Sequence, residues 1–237
     1  MTKILALDAS TDACSVALHI DGKESHIFEL AAKSHTQRLL PMVDEILSTA
    51  NCHLKNLDAI AFGRGPGSFT GLRICMGIVQ GLAFGANLPV IPISTLQAMA
   101  KGFITDNPQT SLPIMVALDA RMEEIYWGLF SAEKIPQALS EEHVMKPADV
   151  VAHPNLHELS KNFIAVGPGW HYPDLQNTIP EQQVQHIHPN AKDILALALN
   201  EYTQGNLVSI LDAQPVYLRD SVSWKKRERI RSSSIFD

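Results

Sequence analysis

The chain contains 237 residues, 46% of them apolar and 19% charged, and its formal net charge at pH 7 is −6. This length supports one large domain or two smaller ones with hydrophobic cores. The negative charge argues against a broad nucleic-acid-binding surface, because contacts with phosphates require clustered lysine and arginine.

The first thirty residues alternate short apolar runs with turn signals. Residues 3–9 predict a strand that ends near Asp8, and residues 14–20 predict a second strand. Asp21-Gly22 is a strong hairpin signal before a third strand over residues 25–30, so the chain opens as an antiparallel meander. At the end of its strand, Asp8 could orient a metal-bound nucleotide or could cap the following turn, and both alternatives stay open.

An amphipathic helix is predicted over about residues 36–50, where apolar side chains recur at helical spacing. Pro41 must lie early in this helix or kink it, since proline removes one backbone donor. His35 stands at its start, and the residue one turn later is Leu39. A paired-histidine metal site is therefore excluded on this helix.

A glycine-rich stretch from Gly63 to Arg73 follows a short apolar strand and leads into an apolar helix. Its glycines allow unusual backbone conformations and close approach, and the N-terminus of the next helix favours an anion. The lysine of the Walker pattern is absent, so a turn that only packs helix on strand stays open beside phosphate binding. The candidate anion-binding residues are Asp8, Gly65, Gly67, Ser68, Thr70 and Gly71.

The helix after this loop, over residues 72–84, is apolar on nearly every face and carries Gly77, Gly81 and Gly85 four residues apart. Each glycine inside a helix costs up to about 1 kcal/mol relative to alanine, so another backbone is expected to pass close by. That backbone could belong to the protein's own sheet or to a second subunit. The two predicted helices supply the candidate interface residues His35, Leu39, Met42, Val43, Ile46, Arg73, Met76, Gly77, Gln80 and Gly81.

The opening pattern of strand, Leu-Asp-Ala, turn and strand returns later in the chain. Asp119 repeats Asp8 at a separation of 111 positions, which matches one domain length. A polar, proline-containing stretch before this repeat marks a boundary. We therefore predict two similarly built halves, residues 1–106 and 107–220, followed by a tail over residues 221–237.

The tail and the cysteines complete the compositional analysis. Residues 225–231 carry five positive charges and one negative, so a solvated tail and an RNA contact both stay open. Cys14, Cys52 and Cys75 share no metal or redox spacing, which predicts reduced thiols. The longest apolar segment is interrupted by glycine, which predicts a cytoplasmic protein without membrane contact.

Several motifs together resemble the TsaB (YeaZ) family of bacterial tRNA threonylcarbamoyladenosine biosynthesis subunits. They are Asp8-Ala9-Ser10-Thr11, Ser34-His35-Thr36-Gln37-Arg38-Leu39-Leu40-Pro41, Gly65-Pro66-Gly67-Ser68-Phe69-Thr70-Gly71-Leu72-Arg73, Asp119-Ala120-Arg121 and Pro215-Val216-Tyr217-Leu218-Arg219. The resemblance spans nearly the whole chain. It implies an α/β fold with two duplicated actin-like (ribonuclease H-like) halves, whose mixed sheets are flanked by helices.

The resemblance also implies a function. The catalytic relative, TsaD, binds a metal through two histidines one helical turn apart, whereas this chain has His35 followed by Leu39. The chain is therefore expected to be a non-catalytic scaffold that pairs with TsaD, joins the ATPase TsaE and supports modification of the adenosine next to the tRNA anticodon. It would contact tRNA through the complex, form homodimers when alone, and bind neither a metal nor a tight cofactor, with ATP or ADP possible at the complex interface.

Two positions depart from the family pattern. Cys75 stands where glycine is expected, which questions the close packing there. Gly167-Pro168-Gly169 replaces Gly-Asp-Gly and removes a carboxylate from the second half. The alternative function, from another class, is an autonomous ATPase or phosphotransferase of the same superfamily that uses Asp8 and the glycine loop.

Overall fold

The computed structural model describes residues 2–30, 34–159, 162–176, 178, 180, 182–184 and 187–219. The predicted tail over residues 221–237, with its basic run, lies outside these residues. Within them the chain forms two five-stranded mixed sheets with helices packed on their faces.

The first sheet has the strand order β3-β2-β1-β4-β5. Strands β1, β2 and β3 form the predicted antiparallel meander, and β4 and β5 continue the sheet parallel to β1. Asp21 and Gly22 have positive φ angles of 50° and 89°, as a tight hairpin turn requires. The strands are β1 (Lys3–Asp8), β2 (Ala13–Ile20), β3 (Lys23–Leu30), β4 (Ala59–Gly65) and β5 (Val90–Ser94).

The second sheet repeats this topology. Its order is β10-β9-β6-β7-β8, with β6, β7 and β8 antiparallel and β9 and β10 parallel to β6. Read in the opposite direction, the order β8-β7-β6-β9-β10 corresponds strand by strand to β3-β2-β1-β4-β5 of the first sheet. The prediction of two duplicated halves is therefore confirmed. The strands are β6 (Ile114–Arg121), β7 (Glu124–Phe130), β8 (His143–Met145), β9 (Ile164–Val166) and β10 (Gln182–Val184).

Helices cover both faces of both sheets. Two long helices, α1 and α2, pack on the outer face of the first sheet, and the short α4, α5 and α6 lie on the outer side of the second. The helices are α1 (His35–Thr49), α2 (Phe69–Ala86), α3 (Thr95–Asp106), α4 (Pro147–Val151), α5 (Pro154–Glu158), α6 (Pro173–Gln176) and α7 (Ala191–Gln204).

The two halves exchange their last helices. Helix α3 comes from the first half, yet it packs its apolar side on β6, β7 and β9 of the second sheet. Helix α7 comes from the second half and buries Ile194, Leu195 and Ala198 against the inner face of the first sheet. The predicted division after residue 106 falls between α3 and β6, but the two hydrophobic cores cross it.

Several elements differ from the sequence prediction. The Ser94-Thr95 cap predicts a helix through Ala100. Helix α3 continues to Asp106, because Phe103 and Ile104 are buried against the second sheet. The three-residue strands β8 and β10 were not predicted, since three residues show no useful periodicity. Residues 191–202 predict a further helix that is ended by Gly205. This helix is confirmed as α7, and its C-cap Gly205 has a φ of 79°.

Helix α2 has two different sides. By length and composition alone it could cross a membrane, yet a third of it is buried inside the protein. Leu72, Cys75, Val79 and Ala83 pack in the core that α1 and α2 form with the first sheet. An apolar helix packed on a sheet meets the same compositional criterion as a membrane span. Its opposite side carries the glycines.

Candidate functional site

The glycine loop between β4 and α2 packs tightly on the turn that follows β1. A Cβ atom on Gly67 would overlap the carbonyl oxygen of Ser10, and one on Gly71 would overlap that of Ala9. The Ser68 amide also donates a 2.7 Å hydrogen bond to the Ser10 carbonyl. Glycine is therefore required here because the protein's own backbone passes too close for a side chain.

The start of α2 already has a protein cap. The Ser68 hydroxyl accepts a 3.3 Å hydrogen bond from the Gly71 amide, as expected for an N-cap serine. Gly65 has a φ of 104°, a conformation that favours glycine. Ser68 and Thr70 are exposed beside this cap. The loop therefore combines a packing role with polar groups that face solvent.

Asp8 is completely buried at the end of β1. Its Oδ1 accepts hydrogen bonds from the amide (3.1 Å) and the hydroxyl (2.8 Å) of Ser10. Its Oδ2 has no hydrogen-bond partner within the described part of the chain, and a side chain on Gly63 would collide with it. Burial raises the pKa of Asp8 to about 6, against the opposing effect of the Ser10 hydrogen bonds. Asp8 thus caps the turn and does not reach solvent.

The second half contains the counterpart of this site. Asp119 is half-buried, and its Oδ1 accepts hydrogen bonds from the Arg121 amide (2.8 Å) and the Tyr172 hydroxyl (3.2 Å). Gly167 has a φ of 105°, and a Cβ on it would overlap the carbonyl oxygen of Ala117. Gly167 and Gly169 therefore pack closely on Ala117 within strand β6, whereas Gly67 packs on Ser10 in the turn after β1.

Cys75, which stands where the family pattern has glycine, also fits its surroundings. Cys75 is buried, and its sulfur lies 3.8 Å from the Leu7 carbonyl oxygen. Burial raises the pKa of the Cys75 thiol well above its ordinary value, and burial likewise raises that of Cys14 to about 12. Both thiols are free, as is the half-buried Cys52. The side chain of Cys75 fills space between α2 and β1.

Six of the predicted interface side chains are not available to a partner. They are buried, with at most 9% of each exposed, and five of them belong to the core between the first sheet and α1 and α2. The apolar stripe of α1 faces its own sheet, so this part of the interface prediction needs correction. The buried residues are His35, Leu39, Met42, Val43, Ile46 and Met76.

The other predicted interface residues lie on an open side of α2. Arg73, Gly77, Gln80 and Gly81 are exposed. Apart from the neighbouring backbone of α2 itself, no described atom would lie within 4 Å of a Cβ built on Gly77, Gly81 or Gly85. The glycine stripe predicts a second backbone packed closely on α2, and the protein's own sheet does not supply it. We call these residues, with Phe69 and Phe84, the α2 open face.

Two aromatic residues of the α2 open face were not predicted from the sequence. Phe84 is 74% exposed and Phe69 is 54% exposed. The Arg73 guanidinium lies 3.8 Å from the Phe69 ring centroid, and the Tyr217 ring lies 5.4 Å from it on the C-terminal segment. Phe69, Arg73 and Phe84 stand at positions i, i+4 and i+15 of the helix, and this spacing on one side of the helix is the sequence signal for them.

Metal binding has little support among the described residues. No group of three or more His, Cys, Asp or Glu side chains in that part of the chain could hold a metal ion. The Nε2 atom of His35 is buried and lacks a hydrogen-bond partner there, and Leu39 occupies the position one turn later. A single histidine does not make a metal site.

Comparison with known proteins gives consistent results. Residues 27–226 match the family model described as TsaD, tRNA N6-adenosine threonylcarbamoyltransferase. The chain is 44% identical to the Escherichia coli tRNA threonylcarbamoyladenosine biosynthesis protein TsaB, covering 94% of this chain and 97% of that protein. The Haemophilus influenzae TsaB protein is 43% identical, with 94% and 96% covered.

A solved structure agrees with these sequence relatives. YeaZ from Pseudomonas aeruginosa superimposes with a TM-score of 0.85 at 39% identity, covering 92% of this chain and 100% of that one. The similarity extends through both sheets and is not confined to one half. The chain therefore belongs to the TsaB (YeaZ) family.

Proposed function

We propose that this chain is a non-catalytic subunit that binds TsaD and supports the synthesis of threonylcarbamoyladenosine next to the tRNA anticodon. Its relatives are named as tRNA threonylcarbamoyladenosine biosynthesis proteins. The observation that carries the proposal is the α2 open face, where three glycines have open space in front of them. A helix that pays for three interior glycines gains from them when another helix packs closely on that side.

The shared family model supports TsaD as the occupant of this face. The TsaD model matches most of this chain, so TsaD and this chain have the same kind of fold. Two proteins of one fold can pair through equivalent helices in the way that two copies pair in a symmetric dimer. A homodimer would use the same surface and would compete with TsaD for it.

The absence of catalysis is supported by the geometry around Asp8. An aspartate that contacts a metal-bound nucleotide needs access to the site, and this carboxyl is sealed beneath Ser10 and Gly63. The turnover of ATP would then belong to TsaE, and ATP or ADP would bind only where subunits meet. Contact with tRNA would likewise occur through the assembled complex.

One observation favours the alternative of an autonomous ATPase or phosphotransferase. The Oδ2 atom of Asp8 has no hydrogen-bond partner among the described residues and lies near Gly63 of the glycine loop. If this alternative were correct, the purified chain would hydrolyse ATP and would lose that activity in Asp8→Ala. We expect no turnover above that of the Asp8→Ala variant, measured by phosphate release.

The partner proposal is tested with Gly81→Leu. Leucine is the better helix former by about 0.8 kcal/mol, so the variant should unfold at a higher temperature than the wild type. The added side chain fills the space that a partner helix would occupy, so binding to purified TsaD should fall by at least about tenfold. Binding is measured by calorimetry, and modified-nucleoside formation by TsaD is measured with and without the chain.

The matched control is Thr203→Leu, which places the same side chain on an exposed position of α7. This variant should bind TsaD like the wild type. If Gly81→Leu also bound like the wild type, the α2 open face would not be the docking surface. If TsaD formed the modified nucleoside equally well without this chain, the proposed scaffold role would be wrong.

A further inference from the structure

The segment from Pro215 to Arg219, which we call the strap, runs from the glycine loop to the second half. At its first end, the Val216 amide donates a 2.7 Å hydrogen bond to the Arg64 carbonyl oxygen. A Cβ built on Gly65 would lie 2.9 Å from the Val216 carbonyl oxygen. This end of the strap therefore lies directly on the glycine loop.

The other end of the strap is fixed to the turn between β6 and β7. The Arg219 guanidinium donates to the carbonyl oxygen of Ala120 (3.3 Å) and pairs with the Glu124 carboxylate. Three successive residues of this turn, residues 121–123, have φ angles between 55° and 63°. This conformation is unfavourable for residues other than glycine, and Arg219 is one of the contacts that hold it.

The middle of the strap adds to the α2 open face. Tyr217 is 42% exposed and packs on Phe69, whose ring also lies under the Arg73 guanidinium. Phe69 and Arg73 are one helical turn apart, and Gly77 follows one turn later on the same stripe. The exposed surface therefore runs from the glycine stripe through Arg73 and Phe69 onto Tyr217 without leaving the same side of the molecule.

We propose that the docking surface for TsaD is composite, with α2 supplying the glycine stripe and the strap supplying Tyr217. This inference rests on the proposed function. Tyr217 keeps its place because Val216 and Arg219 anchor the strap on the two halves. Docking at α2 therefore depends on Arg219, a positioning residue whose guanidinium contacts the second half.

The coupling is reciprocal. A partner that contacts Tyr217 binds only the seated strap, so its binding must also stabilise the strap in its seat. The Val216 amide reports this directly, because its hydrogen bond to Arg64 exists only in the seated state. Its hydrogen exchange should slow when TsaD binds.

The test compares Tyr217→Ala and Arg219→Ala with Arg121→Ala. Arg121 lies in the same turn, but its side chain is 76% exposed and pairs with Asp119 at 3.6 Å. Truncation of a buried aromatic anchor typically weakens binding about tenfold or more, and we expect this for Tyr217→Ala. For Arg219→Ala we expect about fivefold weaker binding and faster Val216 exchange, while Arg121→Ala stays within about twofold.

Each result decides the matter. Unchanged TsaD affinity in both Tyr217→Ala and Arg219→Ala, together with lost affinity in Gly81→Leu, would overturn the composite surface and leave the proposed function intact. Unchanged affinity in Gly81→Leu would instead overturn the proposed function. Should Arg219→Ala fail to fold, Arg219→Lys keeps the charge but loses the two-pronged contact, and it should weaken binding less than the alanine variant.

Discussion

The two halves share one sheet topology but differ in the helices that pack on the outer face of the sheet. Both contain the same order of five strands and a Gly-Pro-Gly turn whose first glycine has a φ near 105°. The outer layer of the first half consists of two long helices, one of which leaves a glycine stripe open. The second half buries Trp127 and Trp170 beneath short helices. The duplicated part is the backbone frame, whereas the open glycine stripe of α2 belongs to the first copy.

The largest effect should distinguish core aromatic residues from surface ones. Trp170 is completely buried, and its indole donates a 3.3 Å hydrogen bond to the Met115 carbonyl oxygen. Trp170→Ala should lower the free energy of unfolding by about 3–5 kcal/mol. Phe84→Ala on the α2 open face should change it by less than about 0.5 kcal/mol. Urea unfolding measures both, and similar losses would mean that Phe84 is also part of a core.

A second prediction concerns the buried carboxyl of the first half. The folded state raises the pKa of Asp8 from 3.8 to about 6, so the folded protein holds this proton more tightly than the unfolded chain. Stability is therefore lost as pH rises from about 4 to 6, and ionised Asp8 costs on the order of 3 kcal/mol above that range. Asp8→Asn cannot ionise and should lack this loss.

The experiment compares unfolding free energies of wild type and Asp8→Asn between pH 4 and pH 8. The difference should shift in favour of the variant by on the order of 3 kcal/mol across this range. Asp193, whose pKa burial raises to about 7, contributes equally to both proteins and cancels in the difference. A constant difference would show that Asp8 is not sealed from water.

The smallest effects compare two glycines of the same helix. A methyl group on Gly71 would overlap the Ala9 carbonyl oxygen, whereas one on Gly81 would meet nothing. Gly71→Ala should destabilise the protein by about 2 kcal/mol. Gly81→Ala should stabilise it by up to about 1 kcal/mol. Thermal unfolding checks the opposite signs, and two changes of the same sign would contradict the difference between the packed and open sides of α2.

Local signals in the sequence predicted much of the frame. The Asp21-Gly22 turn and the Gly205 helix end were readable because each depends on a few neighbouring residues. The recurrence of Asp8 as Asp119 was readable because the same short pattern of residues returns in the second half. The exchange of α3 and α7 was not, since it depends on contacts between residues far apart in the chain. Three-residue strands such as β8 gave no periodicity to detect.

The predicted interface residues divide into a buried and an exposed group for a physical reason. Apolar periodicity identifies the side of a helix that is buried, and in a helix packed on a sheet that side faces its own core. This criterion points to Val43 and Met76, which are buried in the protein. The cost of glycine inside a helix points instead to Gly77 and Gly81, which lie on the exposed side of α2.

Because the helices are exchanged, neither half should fold on its own. Cutting the chain between α3 and β6 would leave the first sheet without the apolar cover of α7, and would leave α3 with its buried side in water. Such fragments should be soluble only when they are co-expressed. The two copies of the strand topology therefore form a single cooperative unit, in which loss of one copy would unfold the other.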